Sequence, residues 1–402
     1  MESLDRVRTT ILDAVPRLPA VRAPLRDALG LVLAETVVAP EPVPPFDNSA
    51  MDGYAVRSSD VARATEADPV RLKVVGELPA GHAPTTSVRA GEAVRIMTGA
   101  PIPDGADAVV MVEQTTRDGD DGVLVAHAAE LSDHVRPAGG DIAAGLTVFE
   151  PGIELTPSHL GVLASLGMQE VLVTRKARVG VLSTGDELRE GPERLGPGQI
   201  RDSNRPMLVA LLAEAGCEAL DLGVGPDDEA LVTRLIDDAL GSCDALVTSG
   251  GVSVGDYDVV KAVLERFGVL QWWQVAVRPA KPLAFGVLRD RPVFGLPGNP
   301  VSSLVSFELF ARPALRTMMG HTVVDRPVVE AIAAEPLRRR RDGRMHLDRA
   351  VATYDGTAYR VVRSGFQASN VLSGLANANA LALIPDGEGV EEGDRLQVML
   401  LR

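Results

Sequence analysis

Cysteine is almost missing from this chain of 402 residues, which holds only Cys217 and Cys243. Two thiols cannot complete a zinc site and need not pair, so they read as small core residues in a reducing compartment. Lysine is nearly as scarce: Lys73, Lys176, Lys261 and Lys281 are the four among 40 basic residues, which leaves few point-charge ligands for a phosphate. Aromatic residues make up 3%, so the cores must be built from Ala, Val and Leu. No apolar run approaches the roughly 18 residues of a membrane-spanning helix, and the opening MESLDRVRTT has no signal-peptide pattern. The expectation is a cytoplasmic protein without a membrane partner. Positive charge is outweighed as well. A net charge of -15 and a pI near 4.9 argue against nucleic acid and anionic lipid as partners.

What is present is length and a changing hydrophobic period. The chain exceeds what one core serves, and about two to four domains are expected. Residues 3–18 have a helical period, with Leu4, Val7, Ile11, Leu12 and Val15 on one face. PLRDALGLVLAETVVAP reads as a helix running into a strand, and PEPVPP at 40–45 as a domain joint. From 46 to 137 the signals are β, as in VRLKVVGEL, EAVRIMTG and ADAVVMVEQT, with turn clusters between them. PAGGDIAAG then leads into the short helix TPSHLGVLASLGM, so that 138–174 rejoins 1–45 in one discontinuous domain. Residues 175–320 alternate strand and helix. RVGVLSTG, CEALDLGVG and DALVTSGG read as strands. DSNRPMLVALLAEAG (capped by Asp202 or Ser203), DDEALVTRLIDDAL and DYDVVKAVLERFG read as helices. WWQVAV, a hairpin through LAFGVLRDRPVFGLP and a long helix from Asn299 complete the segment. That rhythm predicts a mostly parallel, doubly wound sheet. Residues 321–402 return to β and predict a small barrel. The fold class is therefore multidomain, α/β plus β. The arginine run 338–341 reads as a solvated strand end.

Chemistry collects at the strand ends of the α/β segment, where ligands bind in such sheets. The runs are Ser183, Thr184, Gly185, Asp186, Glu187; then Gly225, Pro226, Asp227, Asp228; then Thr248, Ser249, Gly250, Gly251; then Arg278, Pro279, Ala280, Lys281; and finally Leu296, Pro297, Gly298, Asn299, Pro300. On this reading all five share one edge and line one cleft. Paired glycines let backbone N–H groups face an anion, and GLPGNP precedes a helix whose free N–H groups and dipole suit phosphate. Arg278 and Lys281 add positive charge; Glu187, Asp227 and Asp258 add negative charge. Such a set suits a phosphate ester held with a divalent metal. Each member alone has a plainer reading: Gly-Gly as a turn, Asp-Asp as a helix cap, GLPGNP as a rigid turn.

PPFDNSAMDGYAVR, RIMTGAPIPDGADAVVMVE, STGDEL, SGGVSVGDYD, KPLAFG and GLPGNPVSS occur in this order. With them the whole chain resembles the MoeA family of molybdopterin molybdenumtransferases, to which the gephyrin E domain belongs. The resemblance implies an elongated homodimer with four domains per subunit: 1–45 with 138–174 (helical, linking, in contact across the dimer), 46–137, a MogA-like molybdopterin-binding domain at 175–320, and 321–402. It implies that molybdate and adenylylated molybdopterin are the substrates, that AMP is released, and that a divalent metal, Mg2+, assists. It implies a pterin-nucleotide partner, and contact with other molybdenum-cofactor proteins and apo-molybdoenzymes. The family's functional positions fall on Asp52, Thr98, Asp141, Glu187, Asp227, Asp258, Arg278, Lys281, Arg344 and Ser369. Glu187, Asp227 and Asp258 are the metal candidates; Ser183, Thr184, Gly185, Ser249, Gly250, Gly251, Pro297, Gly298, Asn299 and Pro300 complete the expected substrate loops.

There are departures. The family's KPGKP reads RPAKP at 278–282, its Ser-His reads Ser369-Asn370, and the Phe of its GRxxF pattern is Leu347. They leave open a paralogue acting on a related metal-pterin or nucleotide, and a scaffold is the third reading. In PPFDNSAMDGYAVR, prolines 44 and 45 stiffen the entry and Gly53 suits a turn. Asp47, Asn48, Ser49, Asp52 and Tyr54 then form a polar edge, either as a self-contained network or, as the family's dimers imply, facing the partner's cleft.

Overall fold

In the computed structural model the described residues are 1–250, 262–263 and 270–402. Of the expected helix DYDVVKAVLERFG only Ala262 and Val263 are among them, both helical; the rest of it, with Gly251 and Asp258, lies outside. The chain forms two compact units. One comprises Met1–Ala34, Gly152–Thr156 and Leu172–Arg402, the other Glu35–Pro151 and Pro157–Val171.

In the first unit the helix Leu4–Ala14 starts at Ser3, whose side chain accepts from the Arg6 N–H. It buries Val7 and Ile11 in the core. The predicted helix in PLRDALG is absent. Ala20–Pro24 is a strand, followed by a three-residue 3-10 turn at Leu25–Asp27. Gly30 then takes φ +74° and donates to the Leu155 carbonyl, which ends any helical path.

The central sheet has the order Glu218–Gly225, Arg178–Thr184, Ala245–Ser249, Arg291–Leu296, Pro282–Leu288, Leu270–Gln274. The first four strands are mutually parallel. The last two are joined antiparallel, so the sheet is mixed at one side. Helices Asn204–Glu214 and Glu229–Ser242 are the crossovers. The long helix from Asn299 runs as Pro300–Ser306, a π-helical stretch Phe307–Ala311, and Arg312–Met318. Cys217 and Cys243 are both buried and free, and burial pushes the Cys217 thiol up to about 12.

The C-terminal strands Met345–Tyr354, Tyr359–Arg363, Val328–Ala333, Arg395–Leu400 and Ala380–Ile384 form a closed five-stranded barrel, because the last also pairs with the first. Val277–Arg278 joins this barrel by parallel pairing with Met345–His346.

The second unit is built on a six-stranded sheet, order Ala108–Met111, Gly53–Val56, Glu92–Ile96, Val70–Leu78, Gly122–Val125, Thr115–Asp118. Gly53 lies inside a strand rather than in a turn. A Cβ there would sit 2.0 Å from the Val110 carbonyl oxygen, so close backbone approach is what requires glycine.

The hairpin between Pro282–Leu288 and Arg291–Leu296 turns on two residues, Arg289 (φ +50°) and Asp290 (φ +62°). Both central positions are left-handed, as in a type I′ turn, where glycine is favoured. Asp290→Gly should stabilise the sheet by about 1 kcal/mol. The readout is the denaturant midpoint followed by Trp272 and Trp273, both on the neighbouring strand Leu270–Gln274. An unchanged or lower midpoint would contradict this account of the turn.

Candidate functional site

The parallel strands end as expected in a polar cluster. Arg178–Thr184 finishes with Ser183 and Thr184 buried. The chain then turns at Gly185, φ +145°, where a Cβ would lie 2.4 Å from Glu187 Oε2. Glycine is thus required so that Glu187 can fold back over the turn. Residues 185–201 leave the sheet and return, held by pairing of Leu188–Arg189 with Ile200–Arg201.

The adjacent Asp-Asp pair divides its labour. Asp228 caps the helix Glu229–Ser242, accepting from the Leu231 N–H at 2.8 Å. Asp227 joins the first two strand-end loops: its Oδ2 accepts from the Asp186 N–H at 3.3 Å, while its own N–H donates to Asp186 Oδ1 at 3.1 Å.

Two further residues, absent from the sequence-based candidates, organise this cluster. Asn204 Nδ2 donates to Ser249 Oγ at 2.8 Å and to the Gly298 carbonyl at 2.7 Å, tying the third strand end to GLPGNP. Arg205 is buried and pairs with Asp202, Asp221 and Glu190, which ties the 185–201 excursion to the sheet. Asp202, not Ser203, supplies the capping oxygen, accepting from the Arg205 N–H at 3.2 Å. The DSNR run was visible, but its helix-capping role concealed these contacts. Gly250 takes φ +91° and donates to the Leu296 carbonyl. The result is a small cavity of about 100 Å³ lined by Ser183, Thr184, Glu187, Ser249, Gly250, Gly298 and Pro300, among others. Asn299 does not cap through its side chain; its carbonyl accepts from the Ser303 N–H.

The run Arg278–Lys281 is not part of this cavity. It connects the two outer strands Leu270–Gln274 and Pro282–Leu288 and is captured by the barrel. There it lines a second, larger cleft of about 690 Å³ together with Arg344 and Ser369. The single cleft expected from five strand ends is therefore not formed: three runs contribute to the first cavity, Arg278–Lys281 lines the second, and Gly225–Asp228 lines neither. Their common wall is the helix start: Pro300 faces the first, Val301 and Ser302 the second, and the Val301 N–H donates to the Ser369 carbonyl at 3.2 Å.

Arg344 is held in the second cleft by Asp342. That carboxylate takes Arg344 Nε at 3.1 Å as well as its Nη2, and also takes Arg339 Nη2 at 2.7 Å and bonds His346 Nε2 at 3.1 Å. Burial pushes the Asp342 carboxyl up, but the bonds from Arg344 and His346 outweigh it and hold it well below the usual range. Burial lowers His346 despite the opposing pull of Asp342. Ser369 rides on a loop fastened by the buried Arg349, whose guanidinium donates to the Val371 and Phe366 carbonyls at 2.7 and 2.6 Å. Ala280, where the family has Gly, sits at φ +79° and is buried, so it occupies backbone that glycine prefers. Leu347 points into the core.

In the second unit the structure brings Asp52 and Thr98 together. Asp52 Oδ1 accepts from the Thr98 N–H at 2.7 Å and from its hydroxyl at 2.8 Å, which draws this exposed carboxyl below its ordinary value. The expected polar edge is mostly internal. Ser49 and Asn48 are buried and bond the Met51 and Phe46 carbonyls; Asp47 accepts from the Ala138 N–H. Tyr54 is a core residue with Arg95 stacked on its ring. Asp141 is exposed, its N–H donating to the Val43 carbonyl. Among the described residues no three His, Cys, Asp or Glu side chains are grouped to hold a metal ion.

The Arg205 hub makes a prediction. Arg205→Met leaves the buried Asp202 without its cation and should cost about 3 kcal/mol of stability, the scale for breaking a buried pair. Denaturant unfolding measures it; a loss below about 1 kcal/mol would show that the hub does not hold the excursion.

Three family models cover most of the chain. They are "MoeA N-terminal region (domain I and II)" at 2–167, "Probable molybdopterin binding domain" at 180–317 and "MoeA C-terminal region (domain IV)" at 330–401. A molybdopterin molybdenumtransferase of Haemophilus influenzae is 38% identical over 99% of this chain and 98% of its own length. Molybdopterin molybdenumtransferase 2 of Mycobacterium tuberculosis is 41% identical over 99% of both. Among solved structures, the molybdopterin biosynthesis moeA protein of Pyrococcus horikoshii OT3 has a TM-score of 0.83 at 30% identity, covering 100% of each chain. With the two-unit fold, the barrel and the order of loops, these likenesses establish that the chain belongs to the MoeA family of molybdopterin molybdenumtransferases, enzymes of molybdenum cofactor biosynthesis.

Proposed function

We propose that this enzyme inserts molybdenum from molybdate into adenylylated molybdopterin and releases AMP, as a cytoplasmic homodimer whose sites are shared between subunits. One observation carries the reading: a small cavity of glycine loops and hydroxyls and a large arginine-lined cleft share the helix start at Pro300. The first suits a phosphate through the hydroxyls of Thr184 and Ser249; the second suits an oxyanion through Arg278, Lys281 and Arg344. Glu187 stands at the rim of the first, where it orients the attacking oxygen at the phosphoanhydride. Thr98 fixes Asp52, which supplies a carboxylate from the partner's second unit, and Asp141 is assigned the same role. The product passes to apo-molybdoenzymes. A four-part division at 1–45 with 138–174, 46–137, 175–320 and 321–402 is part of the same proposal.

Mg2+ takes carboxylate oxygens as donors. The described residues alone do not group three such side chains, but Glu187 has no ion-pair or hydrogen-bond partner for its carboxylate among the described residues. Glu187, Asp227 and Asp258 would hold it, and when bound it would neutralise charge on the phosphoanhydride.

Lys281→Ala should weaken molybdate binding about tenfold, the low end for a hydrogen bond to a charged group. The gap should narrow in high salt, where the wild-type attraction is itself screened. Calorimetric titration showing equal affinity at low salt would remove Lys281 from the site.

The shared site is tested by mixing inactive Asp52→Ala with inactive Glu187→Ala protein and allowing subunits to exchange. Each mixed dimer then holds one intact site, and activity should approach about a quarter of wild type at equal mixing. Exchange without recovered AMP release would mean that Asp52 serves its own subunit.

A further inference from the structure

We propose that Arg340 binds a second anionic group, a phosphate, beside the oxyanion held by Arg278, Lys281 and Arg344. The proposal rests on reading the large cleft as an oxyanion site. The run 338–341 looked like a solvated strand end, yet three of its four arginines line that cleft.

Most of the cleft's cations are already spent. Arg339 is almost fully buried and bonds Asp342 and Asp386. Arg338 pairs with Glu391, and Arg363 with Asp348. The guanidinium of Arg349 ends in carbonyl oxygens. Arg344 shares Asp342, and Arg278 is 3.8 Å from the same carboxylate. Arg340 and Lys281 have no carboxylate partner among the described residues.

Eight cationic side chains line the cleft and four carboxylates neutralise them. A doubly charged oxyanion leaves about half of that excess uncompensated, and in a chain of net charge -15 such a local surplus is a specific arrangement. A phosphate ester supplies the missing negative charge. Arg340 is the cation available for it because Arg339 pins the backbone on either side. Arg339 Nε and Nη2 donate to the Arg340 carbonyl, Nη1 donates to the Arg344 carbonyl, and the Arg339 N–H donates to the Glu388 carbonyl. A planar guanidinium on backbone held just beyond the strand Leu337–Arg338 is suited to bidentate contact with phosphate.

The test is calorimetric titration of the full chain with molybdate and with inorganic phosphate at constant ionic strength. In the wild type, phosphate should bind with molybdate already saturating and should not displace it. Arg340→Ala should weaken that phosphate binding about tenfold while changing molybdate affinity less than about twofold. Arg340→Lys should recover part of the loss. Arg341→Ala is the control: it removes the same charge from an exposed neighbour outside the cleft lining and should leave both affinities near wild type. Equal effects of the two alanine variants would reduce Arg340 to long-range charge and overturn the proposal. So would one-for-one displacement of molybdate by phosphate, or an equal loss of molybdate affinity in Arg340→Ala. If the wild type binds neither anion, the reading of the cleft fails first and the proposal with it. If the wild type binds both and Arg340→Ala behaves as wild type, only the assignment of Arg340 falls.

Discussion

The N-terminus of the helix Pro300–Ser306 is the constraint on which the site depends. It is buried on nearly every side, so its backbone donors must find partners inside the protein. Proline at the first position removes one donor and fixes the entry angle. The Asn299 carbonyl takes the Ser303 N–H, and the Ser369 carbonyl takes the Val301 N–H. The second of these bonds brings a barrel loop onto the α/β sheet. It places the arginine cleft against the glycine-loop cavity, and neither the sheet nor the barrel makes that arrangement alone.

Arginine does the framework work that the rarity of lysine leaves to it. Arg205, Arg339 and Arg349 are all buried or nearly so, and each gathers three or more oxygen acceptors. A guanidinium can do this because its donors lie in one rigid plane and it stays charged. Each of the three fixes a segment that carries a functional candidate: the excursion with Glu187, the stretch with Arg340, the loop with Ser369. The surface is left strongly acidic, which concentrates positive potential in one cleft.

The departures from the family pattern are absorbed in different ways. Leu347 replaces an aromatic within the core, where an aliphatic side chain also fills space. Ala280 is less comfortable, since its φ of +79° costs a residue with a Cβ about 1 kcal/mol or more. Arg278 keeps the charge of the lysine it replaces and is drawn toward Asp342.

The sequence by itself determined the strands and two crossover helices of the α/β segment and the barrel pattern at the C-terminus. Hydrophobic period and glycine or proline punctuation are local properties, and those elements are local. The pairing of Asp52 with Thr98 was legible only as two family positions, 46 residues apart, that the sheet brings into contact. The failures share a cause. PLRDALG has helical spacing, but the Gly30 turn and the Leu155 carbonyl override it. Tyr54 looks polar in the sequence and is buried in a strand, Gly53–Val56, whose four residues are all covered. The failure of the five strand ends to form one cleft, the hubs at Asn204 and Arg205, and the turn of Arg340 into the arginine cleft all depend on contacts between segments distant in the chain. Only the tertiary structure decided them, because strand order and barrel closure set which polar ends meet, and neither leaves a periodic trace in the residues themselves.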